Sequence, residues 1–80
     1  MNMARLVFLG RLADLAGAAE REVAPGQLEA ILADLPAGLA IALLDEKVRI
    51  ARNGELLVNP GSVTVFAGDE IAFLPPVSGG

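Results

Sequence analysis

The 80-residue chain predicts an α+β domain in which one sheet wraps around one main helix. Three observations carry this. A strand-like apolar run opens the chain at 3–9, the only long leucine stripe at helical spacing falls in the middle at 28–35, and the second half breaks into short strand-like runs punctuated by Asn-Gly, Pro-Gly and Gly-Asp turns. Eighty residues make one domain with one small core, too short for two lobes with a cleft between them.

Met3 to Leu9 is rich in Leu, Val and Phe and ends at Gly10, which suits a first strand with Leu6 and Phe8 on one face and Val7 and Leu9 on the other. With both faces apolar, its predicted place is inside the sheet. Leu12, Leu15 and Ala16 recur at helical spacing before Gly17, which can close a short helix at positive φ. A second strand is expected at Glu20 to Val23. After the Pro25-Gly26 turn, Leu28, Ile31, Leu32 and Leu35 fall at i, i+3, i+4 and i+7, the stripe of a helix laid on a sheet. Pro36 and Gly38 break this main helix, and Leu39 to Leu44 is expected to add a helical turn or two.

Strands are then predicted at Val48 to Ala51 and Leu56 to Val58, flanking Asn53-Gly54, a pair that readily takes the positive φ angles of a tight hairpin. Asn59-Pro60-Gly61 is a further turn, Val63 to Phe66 a short strand, and Gly68-Asp69 leads into a last strand at Glu70 to Leu74. There Ile71 and Phe73 alternate with Glu70 and Ala72, as a half-buried strand requires. This order of elements is that of the β-grasp fold, with residues 1–74 forming the domain and 75–80 an extended tail.

Composition removes most function classes. The chain has no cysteine, histidine, tyrosine or tryptophan, so the commonest nucleophile-and-base pairings, histidine acid–base chemistry and zinc ligation have no residues to work with. No metal site is expected. The net charge of −4 and six bases scattered along the sequence argue against nucleic acid, and favour steering toward a basic partner with an attraction that weakens as salt rises. The apolar fraction of 54% implies a dense core, apolar surface kept for a partner, or both. No apolar run approaches the roughly 20 residues that span a bilayer. Without cysteines there is no disulfide framework, so a cytoplasmic location is expected.

The reactive candidate that remains is the C-terminal carboxylate of Gly80. Pro75 and Pro76 lack backbone N–H groups and cannot extend the ladder of the last strand, and their fixed φ favours an extended exit. The six residues from Pro75 to Gly80 reach about 20 Å at roughly 3.3 Å each, enough to enter another protein's active site. Gly79 and Gly80 suit passage through a narrow channel because they carry no Cβ. A carboxylate becomes electrophilic once its oxygen has attacked the α-phosphate of ATP to give an acyl-adenylate. The chain has neither a G-x-x-x-x-G-K-[ST] loop nor a G-x-G-x-x-G turn of its own, so the activating machinery is assigned to a partner.

Phe73-Leu74-Pro75-Pro76-Val77-Ser78-Gly79-Gly80, preceded by Gly68-Asp69-Glu70-Ile71-Ala72, closely resembles the C-terminal signature of the small subunit of molybdopterin synthase. Phe8-Leu9-Gly10-Arg11-Leu12 and Ala51-Arg52-Asn53-Gly54-Glu55-Leu56 resemble that family's first strand and central hairpin. The resemblance implies a β-grasp sulfur carrier that binds no cofactor itself. Its terminal glycine would be adenylated by a ubiquitin-activating-like adenylyltransferase using ATP and magnesium, and converted to a thiocarboxylate. It would then be inserted into the large subunit of the synthase, in a heterotetramer, to give sulfur to cyclic pyranopterin monophosphate. On this reading Gly80 carries the sulfur, Gly79, Ser78, Val77, Pro76 and Pro75 thread or hold out the tail, Phe73 and Leu74 help dock the partner, and catalytic side chains belong to that partner. A thiazole-pathway sulfur carrier, a ubiquitin-like modifier joined to lysines and an interaction module with an inert tail are the competing readings.

Overall fold

The computed structural model describes residues 2–76. The elements run β1 (Ala4–Phe8), α1 (Arg11–Ala16), β2 (Glu20–Val23), β3 (Gly26–Gln27), α2 (Leu28–Ala33), α3 (Ala37–Leu43), β4 (Arg49–Arg52), β5 (Glu55–Leu56), a 3-10 turn (Pro60–Ser62), β6 (Thr64–Val65) and β7 (Glu70–Leu74). Five strands form a mixed sheet in the order β2-β1-β7-β4-β5. β1 and β7 are parallel, with Leu6 opposite Ile71 and Phe8 opposite Phe73, while β2 and β4 add antiparallel to their outer sides. The first and last strands of the domain are thus neighbours, and the chain between them supplies the helices. This is the ubiquitin-like β-grasp arrangement.

Alternation along the strands divides the sheet into two faces. Ala4, Leu6, Phe8, Ile50, Ile71 and Phe73 point inward and join Leu12, Leu28, Ile31, Leu32, Leu39 and Leu43 from the helices in one core. The Phe8 and Phe73 rings stack at its centre, 5.8 Å apart and 15° from parallel, a separation typical of favourable aromatic pairs. Each such buried side chain contributes on the order of 1.5–3 kcal/mol by leaving water. As expected from its two apolar faces, β1 lies inside the sheet, although Leu9, just beyond its end, is exposed.

The structure changes three details. The main helix is shorter than its leucine stripe: α2 ends at Ala33, and the next amides, Asp34 and Leu35, bond to the carbonyls of Ile31 and Leu32 in a tightened last turn. The pyrrolidine ring of Pro36 disfavours α geometry at the residue before it. Leu35 is nevertheless buried. Beyond Pro36 the chain resumes as α3, whose Leu39 and Leu43 lie one turn apart and both face the core. The Leu56–Val58 strand shrinks to Glu55–Leu56, and Val58 is fully exposed. The Val63–Phe66 segment contributes Thr64 and Val65 to a separate two-stranded sheet with β3, a strand formed where the sequence predicts only the Pro25-Gly26 turn.

The hairpin turn forms as its sequence requires: Asn53 and Gly54 both take positive φ, 49° and 90°, the signature of a two-residue turn whose twist matches its strands. Asn53 also reaches across the sheet end. Its side-chain amide donates to Asp69 Oδ1 at 3.1 Å and its Oδ1 accepts from the Glu70 amide at 2.9 Å. Asp69 Oδ2 accepts the Phe66 amide at 2.9 Å and lies 3.4 Å from Arg52 Nε, and Arg52 donates from Nη2 to the Thr64 carbonyl. One carboxylate therefore ties the β4–β5 turn to the β6–β7 turn.

The Phe66 amide, the Asn53 amide and the Arg52 guanidinium hold the Asp69 carboxyl below the usual carboxylate range, against an opposing effect of burial. Because the folded-state value is the lower one, this stabilisation is complete above the unfolded pKa of about 3.9 and is lost as pH falls through the folded value. Urea unfolding should therefore show wild type more stable than Asp69→Asn by an amount that is level near neutrality and shrinks below about pH 4. A difference unchanged across that acid range would contradict this assignment.

Candidate functional site

The site is the place where the chain leaves β7. Ile71 and Phe73 are both 0% exposed, and each is bracketed by a strand on either side, so the last strand is held at the middle of the sheet. The ladder stops at Leu74, opposite Arg49. Pro75 and Pro76 follow without strand structure, both half-buried, as two residues without N–H groups must.

Pro75 passes close to the start of α1. A Cβ placed on Gly10 would come within 3.1 Å of Pro75 Cγ, and Gly10 itself sits at φ 56° and ψ −135°, a region that side chains other than glycine's rarely enter. Gly10 is thus required twice, for its backbone angle and for the passage of the neck. The sequence showed it only as the end of a strand. Pro76 continues between the loop before β4 and the groove of α1 and α3, beside Lys47, Arg49, Arg11 and Leu15.

The outward face of the sheet leads up to this exit. Cross-strand register places Glu20, Val7, Ala72, Ala51 and Leu56 in one row across all five strands. Leu74 stands beyond Ala72 on the same face, one alternation nearer the neck. Val7, Ala72 and Leu74 lie outside the core cluster and are half-buried, while Leu56 is 64% exposed. From Val7 to Leu56 the row is apolar, with Glu20 at its β2 end, and it is walled on one side by the Glu22, Arg5 and Glu70 row, in which Arg5 pairs with Glu70 at 3.1 Å.

Of the residues assigned from sequence, Leu74 lies on this outer face and Pro75 and Pro76 form the neck. Phe73 requires correction. Fully enclosed and stacked on Phe8, it is a core aromatic and offers no surface to a partner; the alternation that buries Ile71 buries it too. Val77, Ser78, Gly79 and Gly80 lie outside the described residues. Sequence reasoning missed Val7, Ala51 and Leu56, which become one surface only through the register. Among the described residues, no group of three or more acidic, histidine or cysteine side chains is arranged to hold a metal ion, and no helix is long and apolar enough to cross a membrane.

A β-grasp domain whose central strand runs straight into a proline neck defines a class, the ubiquitin-like sulfur carriers and modifiers. The chain belongs to the ThiS family, whose family model matches residues 6–80. No curated protein sequence matches it. Its structure is similar to the crystal structure of SAMP1 from Haloferax volcanii, at 28% identity and a TM-score of 0.71, covering 98% of this chain and 99% of that one. It also shares its fold with the solution structure of small archaeal modifier protein 1 from Methanosarcina acetivorans, at 22% identity, a TM-score of 0.73 and coverage of 100% and 98%.

Gly10→Val is expected to displace the neck and strain the turn into α1, lowering stability by about 1–3 kcal/mol and shifting the amide resonances of Leu74 and Arg11 in NMR spectra. Unchanged stability and spectra would show that the close approach to Pro75 constrains nothing.

Proposed function

We propose that this chain is a sulfur carrier whose Gly80 carboxylate is its working group, and that it serves as the small subunit of molybdopterin synthase. The observation that carries the proposal is the fixed exit of Pro75 and Pro76 from the centre of the sheet, in a chain whose family match continues through residue 80. The strand holds its end of the neck while the residues beyond reach into a partner.

The chemistry follows from the carboxylate. In the active site of a ubiquitin-activating-like enzyme, with ATP and magnesium bound there, a carboxylate oxygen of Gly80 attacks the α-phosphorus and pyrophosphate leaves. Sulfide or its equivalent then attacks the acyl carbon of the adenylate and AMP leaves with the bonding pair, giving the thiocarboxylate. Inserted into the large synthase subunit, the thiocarboxylate sulfur bonds to a carbon of cyclic pyranopterin monophosphate, and water then attacks the acyl carbon and breaks its bond to sulfur, leaving the sulfur on the pterin and returning Gly80 to a carboxylate. Residues of this chain position: Gly79 and Gly80 fit a narrow channel, Pro75 and Pro76 stiffen the approach, and the Val7, Ala72, Leu74 and Leu56 face meets the partner. The Pro75-Pro76-Val77 lead-in favours the molybdopterin pathway over the thiazole one.

The likeness to SAMP1 from Haloferax volcanii, at 28% identity over nearly the full length of both chains, favours one second reading, a modifier joined through Gly80 to lysines of other proteins. The same acyl-adenylate serves both; they part at the nucleophile.

Intact mass of the full chain after incubation with the organism's activating enzyme, ATP, magnesium and a sulfide source separates them. The carrier reading expects a gain equal to one oxygen replaced by sulfur, abolished when Gly80 is deleted. An unaltered mass with an active enzyme would sink it, and heavier conjugates through lysine would favour the modifier.

A further inference from the structure

The six bases are dispersed in the sequence, yet folding gathers half of them around the neck. Lys47 and Arg49 line the hollow beside Pro75 and Pro76, Arg11 lines the groove entered by Pro76 on its other side, and all three are exposed. Arg49 is opposite Leu74, the last ladder position before the neck. Elsewhere Arg5 is engaged by Glu20 and Glu70, and Arg52 by Asp69. Among the described residues, Arg11, Lys47 and Arg49 form no ion pair.

Two acids share this region. Asp45 is turned into its own loop, its Oδ1 accepting the Lys47 amide at 2.8 Å, and Glu46 lines the hollow with Lys47 and Arg49. A third, Asp14, lies three residues along α1 from Arg11, and the remaining seven acids line neither hollow, so three exposed bases surround the neck of a protein whose net charge is −4. Whether the body's negative charge cancels that region depends on distance. β2, which holds Glu20 and Glu22, is three strands from β4, roughly 14 Å at about 4.8 Å per strand. That exceeds the Debye length of about 8 Å at physiological salt. The β2 acids are therefore screened from the collar, which answers to the groups nearest it.

We propose that Arg11, Lys47 and Arg49 form a cationic collar that seats against Asp and Glu side chains rimming the mouth of the partner channel that receives the tail. The occupant follows from the geometry. Charges that encircle a neck meet the rim of whatever the neck enters, and two guanidinium groups with one ammonium suit carboxylates on that rim. Held by both the collar and the apolar sheet face, the tail's entry would be fixed in direction as well as in position. The partner-entry aspect rests on the proposed carrier function; the anion preference of the collar does not.

The test has two arms. In the first, hexaglutamate peptide is titrated into the isotope-labelled full chain, with inorganic triphosphate in a parallel titration. Peptide-induced shifts are expected at the amides of Arg11, Lys47 and Arg49, fading with added salt. They should be lost in Lys47→Glu/Arg49→Glu and retained in Arg21→Glu, which reverses a base on β2 away from the neck. Shifts scattered over the surface, shifts that survive the double reversal, or a response to triphosphate alone would overturn the proposal. In the second arm, with the activating enzyme, the double reversal should raise KM for the chain about tenfold or more and Arg21→Glu should not; equal effects of the two would also overturn it. If the wild-type chain is not adenylated at all, it is the carrier reading that fails, and the peptide titration alone decides the collar.

Discussion

The last strand of the domain is held between the first strand and β4, and the rest of the functional geometry depends on that placement. A terminal strand at a sheet edge is free to peel, and anything attached to it inherits that freedom. Here β7 pairs along its length with parallel β1 and antiparallel β4, and its inward side chains, Ile71 and Phe73, are wholly enclosed. Loosening it would expose the centre of the core. The residues that follow therefore start from one of the least yielding parts of the molecule, and the two prolines carry that constraint a little further from the sheet.

The same placement explains how an 80-residue chain without histidine or cysteine can have a defined site. The site is a point of departure, bounded by Gly10 where the neck passes α1, by the apolar row on the outer sheet face, and by the bases at the neck. Each of these is an ordinary surface feature alone. Their value lies in convergence on one place, which β7 fixes by joining the outer face to the exit.

Much of the fold was legible in the sequence where a single period governed a segment. The stripe of Leu28, Ile31 and Leu32 became the buried side of α2, the Asn53-Gly54 pair made its hairpin, and the alternation at 70–74 gave β7 its two faces. Two-residue strands have no period, so β3 gave no signal, while β6 fell within the short strand expected at Val63 to Phe66 but is only half its length. Pro36 was visible as a break, and the turn or two of helix expected after it forms, but it starts at Ala37 and runs through Gly38, which the sequence reads as part of the break. The candidate site was legible in part for another reason. Pro75 and Pro76 act locally through their own covalent geometry, whereas the Val7, Ala72, Ala51 and Leu56 row and the grouping of Arg11 with Lys47 and Arg49 exist only once distant segments are paired. Phe73 shows the converse: a residue next to the neck belongs to the core because of its strand parity.

Native-state hydrogen exchange of the β7 amides that bond to β1 and β4 tests most directly whether the tail starts from an immobile strand. The account expects them to exchange only through global unfolding, with protection that falls in step with global stability as denaturant is added. Exchange of these amides by local opening, at a free energy well below that of unfolding and insensitive to denaturant, would contradict it.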